Sequence, residues 1–370
     1  MQKTLANFSD WLEQKDIFEY WDGQVMHPNY SRSLKERYKQ HLEHNNILYP
    51  QAVTMFLTNR CNLFCDHCGQ SSGKALSNEM TLDEIFSVIE ELKDLNVKYV
   101  SLSGGEPFLR EDIFEIIDRL KEYGFIVGVI SNGLITDSKL LDKLKTSAID
   151  SLSLSIDGLE VTHNKIRGSS NSFASIVDFL KFIVNETDIP MSSVVTCVSP
   201  NSLRELESLR DLIFSIGVKS WVLRPIAPTG RAALHDELTL SDDELKQFIN
   251  FCKANVLNGV DLTLSNDVCY LGEYDSLLRM SPYFPGLGWD SFQICANGDI
   301  KALSEDFVPI EANIRDRNLK DIWFNEFKLY REYEPSKLCL GCKYYGRCGG
   351  EFIPNSFIDQ SCLVARGIVN

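Results

Sequence analysis

The sequence predicts an α/β protein with a smaller, loop-rich C-terminal region, and three observations predict it. Short apolar runs alternate with amphipathic stretches six times between residues 52 and 257. Strict alternation calls for parallel strands joined by helical crossovers. Six units are fewer than the eight of a closed barrel, so a doubly wound sheet and an open, partial barrel both fit. After about residue 266 the alternation stops, and turn signals and cysteines take over.

The elements follow in order. Residues 1–50 read as a helical extension, with an exposed helix in "SRSLKERYKQHLEHNN" closed by Pro50. Residues 51–265 hold the repeated units. "AVTMFLT" is a short apolar strand. "TLDEIFSVIEELKDL" is an amphipathic helix opened by Thr81, with Glu84 three residues on as in a capping box. The strand "VKYVSLS" precedes the helix "REDIFEIIDRLKEYG". The strand "FIVGVIS" precedes the helix "TDSKLLDKLKTS", which again starts on a capping residue. "IDSLSLSID", "MSSVVTCVS" and "KSWVLRPI" are strands, followed by the helices "SFASIVDFLKFIVNE", "SLRELESLRDLIFSIG" and "LSDDELKQFINFCKANVL". Residues 266–370 form a second, smaller domain with a hairpin around Asn297-Gly298.

Composition narrows the function. The 370 residues carry a net charge of −15, which argues against nucleic acid and against an anionic membrane surface as partners. The first residues lack the apolar run of a signal peptide, and no stretch has the length of a membrane span. A cytoplasmic protein is expected, in a compartment that keeps thiols reduced. Of the 11 cysteines, seven fall in two tight clusters, which points to metal rather than disulfides.

Cys61, Cys65 and Cys68 directly follow the first strand, at the edge where such folds keep their active sites. Three thiolates on one short loop suit an iron–sulfur cube and leave one iron open to a further ligand. Zinc is the alternative, with His67 or Asp66 as a fourth ligand. Further along, "SGGEP" (residues 103–107) ends the second strand, "SNG" (131–133) the third and "LSIDG" (154–158) the fourth, with "HNKIRG" after it.

With these motifs in this order, the chain resembles the radical S-adenosylmethionine (radical SAM) enzymes from about residue 52 to 263. The resemblance selects the open partial (β/α)6 barrel. It implies a four-iron, four-sulfur (4Fe-4S) cluster on Cys61, Cys65 and Cys68 that binds S-adenosyl-L-methionine. It places His67 near the adenine, and Gly104, Gly105, Glu106 and Pro107 at the methionine amino group. Ser131, Asn132, Ser155 and Asp157 lie near the ribose and carboxylate, and Arg167 pairs with the cofactor carboxylate. One-electron cleavage of the sulfonium then yields a 5′-deoxyadenosyl radical that abstracts hydrogen from a substrate carbon. A flavodoxin or ferredoxin is the implied electron donor.

Cys339, Cys342, Cys348 and Cys362 make a complete four-thiolate set, for which a zinc ribbon is one reading. The run "CLGCKYYGRCGG" resembles the SPASM domain, which implies an auxiliary 4Fe-4S cluster. The chain departs from that pattern at Phe352, where a cysteine is usual, and at Cys295, where none is. One auxiliary cluster is therefore expected, two clusters in all. "LRPIAPTGRA" (223–232) is similar to a segment of members with such a domain, with its arginines unassigned. Cysteine is usually core, and Cys252 in mid-helix reads that way. Cys197, Cys269 and Cys295 are candidate hydrogen donors to a substrate radical. The expected function is maturation of a ribosomally made peptide, by crosslinking, epimerisation or oxidation. The alternatives are a dehydrogenase or epimerase of a small molecule such as a sugar or aminocyclitol, and a zinc-stabilised binding protein.

Overall fold

A computed structural model describes residues 49–135, 137–265, 268–279, 287–303, 305, 308–331, 337–344, 348 and 362–369. The N-terminal extension lies outside these residues except for Tyr49 and Pro50, as does Phe352.

Seven parallel strands alternate with helices. They are β1 (Ala52–Phe56), α1 (Leu82–Asp94), β2 (Tyr99–Ser103), α2 (Ile113–Glu122), β3 (Ile126–Ser131), α3 (Ser138–Lys145), β4 (Ser151–Ser155), α4 (Glu160–Arg167), α5 (Ser172–Glu186), β5 (Met191–Val198), α6 (Leu206–Ile216), β6 (Ser220–Pro225), α7 (Asp242–Leu257) and β7 (Leu262–Leu264). The strands pair in consecutive order from β1 to β7. A doubly wound sheet would reverse its order at a switch point. This one does not, so the open partial barrel is the architecture.

Three features depart from the sequence reading. Residues 160–167 form α4, although Val161, Thr162 and Asn164 are poor helix formers. Tertiary burial overrides them: His163, Ile166 and Arg167 share one buried face. β7 adds a seventh strand, too short at three residues to show a period. The C-terminal region also extends the sheet rather than standing apart. β8 (Ser291–Ile294) runs parallel to β1 on its free side, and β9 (Asp299–Lys301) and β10 (Ala312–Asn313) continue antiparallel. The β8–β9 turn falls at Asn297-Gly298, as the sequence predicts, with Gly298 donating to the Cys295 carbonyl at 2.9 Å. The sheet ends at β10 on one side and β7 on the other, and is not closed.

The helices pack through one stripe each. In α1 this is Ile85, Val88, Ile89 and Leu92, at the i, i+3, i+4 spacing of a helical face. Its predicted cap forms: the Glu84 N–H donates to Thr81 Oγ1, and the Thr81 N–H to Glu84 Oε2. Along β4 the leucines at 152 and 154 are buried, while Ser151, Ser153 and Ser155 face the other way and are half-buried. One face of the sheet thus carries the core, and the other is polar where β4 and β5 meet: the Ser153 and Ser193 hydroxyls lie 2.8 Å apart. No helix among the described residues is long and apolar enough to cross a membrane.

Candidate active site

The cysteine loop leaves β1 and lies at the C-terminal edge of the sheet. Its first half is held by backbone. The Cys61 N–H donates to the Gly73 carbonyl and the Gly73 N–H to the Asn59 carbonyl, both at 2.9 Å. Glu79 closes the loop from below, accepting from Thr58 Oγ1, the Asn59 N–H and the Leu76 N–H at 2.7–2.9 Å. All eleven cysteines are free thiols.

The glycines of "SGGEP" serve this loop. The Gly105 N–H donates to the Thr58 carbonyl at 2.7 Å and the Glu106 N–H to the Arg60 carbonyl at 2.9 Å. A Cβ on Gly104 would stand 2.4 Å from the Thr58 carbonyl oxygen, and one on Gly105 2.2 Å from that of Arg60. Side chains are excluded because two backbones touch. Pro107 follows and opens a 3-10 turn.

Glu106 is fully buried. Its Oε1 accepts from the Phe108 N–H and Ser131 Oγ, and its Oε2 from the Asn132 N–H, at 2.8–3.2 Å. Burial pushes its carboxyl up to about 7, against these donors. Glu106 therefore ties the end of β2 to the end of β3. Asn132, so placed, sends Nδ2 to Asn62 Oδ1 at 2.8 Å and towards Cys61 Sγ at 3.6 Å.

The second cluster of polar groups lies at the ends of β4 and β5. Asp157 is fully buried, and its Oδ2 receives both Nε and Nη2 of Arg167 at 2.6 Å. His67 Nε2 lies 3.2 Å from the same oxygen. The Cys197 N–H donates to Oδ1 at 2.9 Å, and the Asp157 N–H donates to His163 Nδ1 at 3.1 Å. Burial alone would raise the Asp157 pKa, but the Arg167 guanidinium and His67 hold it far below the carboxylate range. His67 is pushed up to about 9: burial opposes its charge and Asp157 outweighs that. His163 is pushed down to about 3, first by burial and then by Arg167. The remaining Arg167 nitrogen, Nη1, lies 3.9 Å from Cys65 Sγ. His67, Asp157 and Cys197 place their ligand atoms within 4.8 Å of one another.

The structure thus brings together His67, Glu106, Ser131, Asn132, Asp157, Arg167 and Cys197 around the three-cysteine loop. It does so by pairs the sequence reading did not anticipate, Arg167 with Asp157 foremost. Ser155 ends β4 half-buried and takes no part in these pairs. Cys295 follows β8, level with the end of β1, and burial pushes its thiol up to about 11. Cys269 lies elsewhere, after β7, where its carbonyl accepts from Arg279 Nη2. Beside it Tyr270 meets Tyr344 with ring centroids 5.5 Å apart, which docks the Cys339–Cys342 turn on the β7 end of the sheet. In that tail the Tyr344 N–H points at Cys342 Sγ and the Ala365 N–H at Cys362 Sγ, each at 3.4 Å. Glu79 and Arg231 are loop-holding residues that the sequence reading missed. Glu79 is a lone acid before a helix, with no local signal of its role.

The radical SAM superfamily profile matches residues 55–213. An AdoMet-dependent heme synthase of Methanosarcina barkeri is 27% identical, over 81% of this chain and 90% of its own. Mycofactocin maturase MftC of Mycolicibacterium smegmatis is also 27% identical, over 86% of this chain and 84% of its own. Among solved structures, Streptococcus suis SuiB bound to precursor peptide SuiA superposes with a TM-score of 0.68 at 16% identity, over 88% of this chain and 77% of that one. Motif order, strand-end geometry and profile agree, and the chain carries a radical SAM domain across residues 55–213.

Proposed function

We propose that this radical SAM enzyme matures a ribosomally made peptide. The observation that carries the chemistry is the set of N–H donors aimed at the cysteine loop. Asn132 Nδ2 faces Cys61 Sγ and Arg167 Nη1 faces Cys65 Sγ, as anionic, metal-bound sulfurs require. The donor set fits a cluster better than zinc. Sulfurs on one tetrahedral zinc sit about 3.8 Å apart, given bonds of about 2.3 Å. Among the described residues, the ligand atoms found within 4.8 Å of one another are those of His67, Asp157 and Cys197, not the three loop thiols. Cys61, Cys65 and Cys68 would hold a 4Fe-4S cluster, which with bound S-adenosylmethionine would supply one-electron sulfonium cleavage and hydrogen abstraction from carbon.

The chain's own residues orient and insulate that site. Glu106 fixes the end of β3, so that Ser131 and Asn132 face the loop. Asp157 and Arg167 form a buried, charge-balanced pair beside Cys65, and His67 is set against Asp157 at the adenine side. Cys339, Cys342, Cys348 and Cys362 hold one auxiliary 4Fe-4S cluster in residues 266–370, beside the barrel domain of residues 51–265. The Tyr344 and Ala365 N–H groups stabilise two of its thiolates. A flavodoxin or ferredoxin supplies electrons in the cytoplasm, which keeps these thiols reduced.

For the substrate, MftC is a maturase by name and matches most of both chains, and the fold is that of SuiB, solved with its precursor peptide. The −15 net charge favours a neutral or basic peptide. A second reading, a synthase acting on a heme precursor, is favoured by the equal identity to the heme synthase. Anaerobic turnover of the reconstituted enzyme against precursor peptides, iron porphyrins and amino sugars decides between them. The peptide reading expects 5′-deoxyadenosine in step with a mass change in a peptide. A mass change confined to a porphyrin or a sugar overturns it.

A further inference from the structure

The loop after β6 reaches across the mouth of the sheet to the cysteine loop. β6 stands five strands from β1 in the sheet, yet the Arg231 N–H donates to the Cys68 carbonyl at 3.0 Å. Its Nε donates to the Cys65 carbonyl and its Nη1 to the Ser72 carbonyl, both at 2.7 Å. The guanidinium carbon lies 3.9 Å from the ring centre of Phe64, a cation–π distance. Gly230 makes the approach feasible. Its φ is +55°, and a Cβ there would stand 2.4 Å from the Cys68 carbonyl oxygen and 2.5 Å from that of Gly69. Three carbonyls of one eight-residue stretch thus bond to one residue.

We propose that Arg231 is a positioning residue for the cysteine loop, strapping its Cys65–Ser72 half to the end of β6 so that Cys65 and Cys68 are preset to receive the cluster. The first half of the loop has its own ties, to Glu79 and to the glycines after β2. The second half has other ties, His67 Nε2 to Asp157 Oδ2 at 3.2 Å and the Asp66 N–H to the Ile166 carbonyl at 2.9 Å among them, but it is Arg231 that bonds three of its carbonyls. β1 and β6 are not paired in the open sheet, and this strap joins the loops that follow them at the active edge. A planar fork is needed to serve the Cys65 and Ser72 carbonyls at once, and lysine has none. The loop's fixation stands on geometry alone, while the cluster it prepares rests on the function proposed above.

The test uses the full chain, iron-free and then reconstituted under nitrogen, as wild type, Arg231→Gln and Arg231→Lys. Hydrogen exchange of the iron-free chain should rise about tenfold over residues 65–72 in Arg231→Gln, less in Arg231→Lys, with α1 and β2 unchanged. After reconstitution, the electron paramagnetic resonance signal that responds to added S-adenosylmethionine should split into several forms in Arg231→Gln and partly so in Arg231→Lys. Exchange over residues 65–72 that stays at the wild-type level overturns the proposal. So does a rise spread equally over α1 and β2, which would make Arg231 a general stabiliser. If wild type binds no iron at the loop, the proposed function fails, and the exchange data still decide whether the strap exists.

Discussion

Arg167 grips Asp157 with two nitrogens on one oxygen, Nε and Nη2 each 2.6 Å from Oδ2. The motif resemblance places Asp157 near the cofactor's ribose and carboxylate and pairs Arg167 with that carboxylate. In the folded chain they are each other's partner, and the third guanidinium nitrogen faces Cys65. A fully buried carboxylate would be costly alone. Here Arg167, His67 and the Cys197 N–H surround it, so the acid stays ionised and the arginine keeps a fixed direction. The pair thus holds one guanidinium N–H in a fixed direction towards Cys65, a cysteine that the cluster would use.

Breaking this pair should therefore cost more than losing a surface ion pair. Arg167→Ala leaves the Asp157 charge buried with reduced compensation, which costs on the order of 3–5 kcal/mol. Asp157→Asn with Arg167→Met removes both charges and should recover much of it. Denaturant midpoints of the iron-free chain report this. An Arg167→Ala variant within about 0.5 kcal/mol of wild type would show that water reaches the pair.

How much of this was legible in the sequence depends on how local each signal is. Cys61, Cys65 and Cys68 were legible because three thiols in one short loop need no tertiary context. The Thr81–Glu84 cap was legible for the same reason. The strands β1 to β6 were legible from their apolar runs and their parallel sense from alternation, but alternation fits a doubly wound sheet as well, and their consecutive order rested on the family resemblance. β7 was missed because three residues carry no period. The pairing of β8 with β1 was missed because its partner lies over two hundred residues upstream. Arg231 and Glu79 bond backbone carbonyls and N–H groups, which have no side-chain signature. α4 was missed because its helicity comes from burying His163, Ile166 and Arg167 rather than from propensity.

The three-cysteine loop should be indispensable to cofactor cleavage. Replacing Cys61, Cys65 and Cys68 with alanine should abolish 5′-deoxyadenosine formation under reductant, because no other thiol in the described site can take their place. The Cys197 thiol belongs instead to the Asp157 group, within 4.8 Å of the His67 and Asp157 ligand atoms. Cleavage retained in the triple variant would dissociate the chemistry from this loop.

The tail set should hold a second cluster. Two 4Fe-4S clusters make about eight irons per chain. Replacing Cys342 and Cys348 with alanine should lower this to about four and leave the signal that responds to S-adenosylmethionine in place. About twelve irons in wild type would require a third ligand set, drawing on Cys269 or Cys295. About four irons plus one zinc would make the tail a ribbon.

Asp261 offers a stability switch away from the chemistry. It directly precedes β7, and its Oδ2 is buried with no hydrogen-bond partner. Burial pushes its carboxyl up to about 6, whereas the unfolded chain ionises near the ordinary value of about 3.9. Between those two values the folded chain holds more protons than the unfolded one, so stability falls as pH rises through that window. Above it the loss is complete. A shift of this size corresponds to about 3 kcal/mol when fully buried. Asp261 is only half-buried, and solvent screening brings this down to about 1 kcal/mol. Asp261→Asn removes the charge, and any cost of the amide itself is independent of pH. The unfolding free energy of Asp261→Asn relative to wild type should therefore rise by about 1 kcal/mol between pH 4 and pH 7.5 in the iron-free chain. Parallel curves for the two proteins across that range would mean that Asp261 is solvated in the folded state.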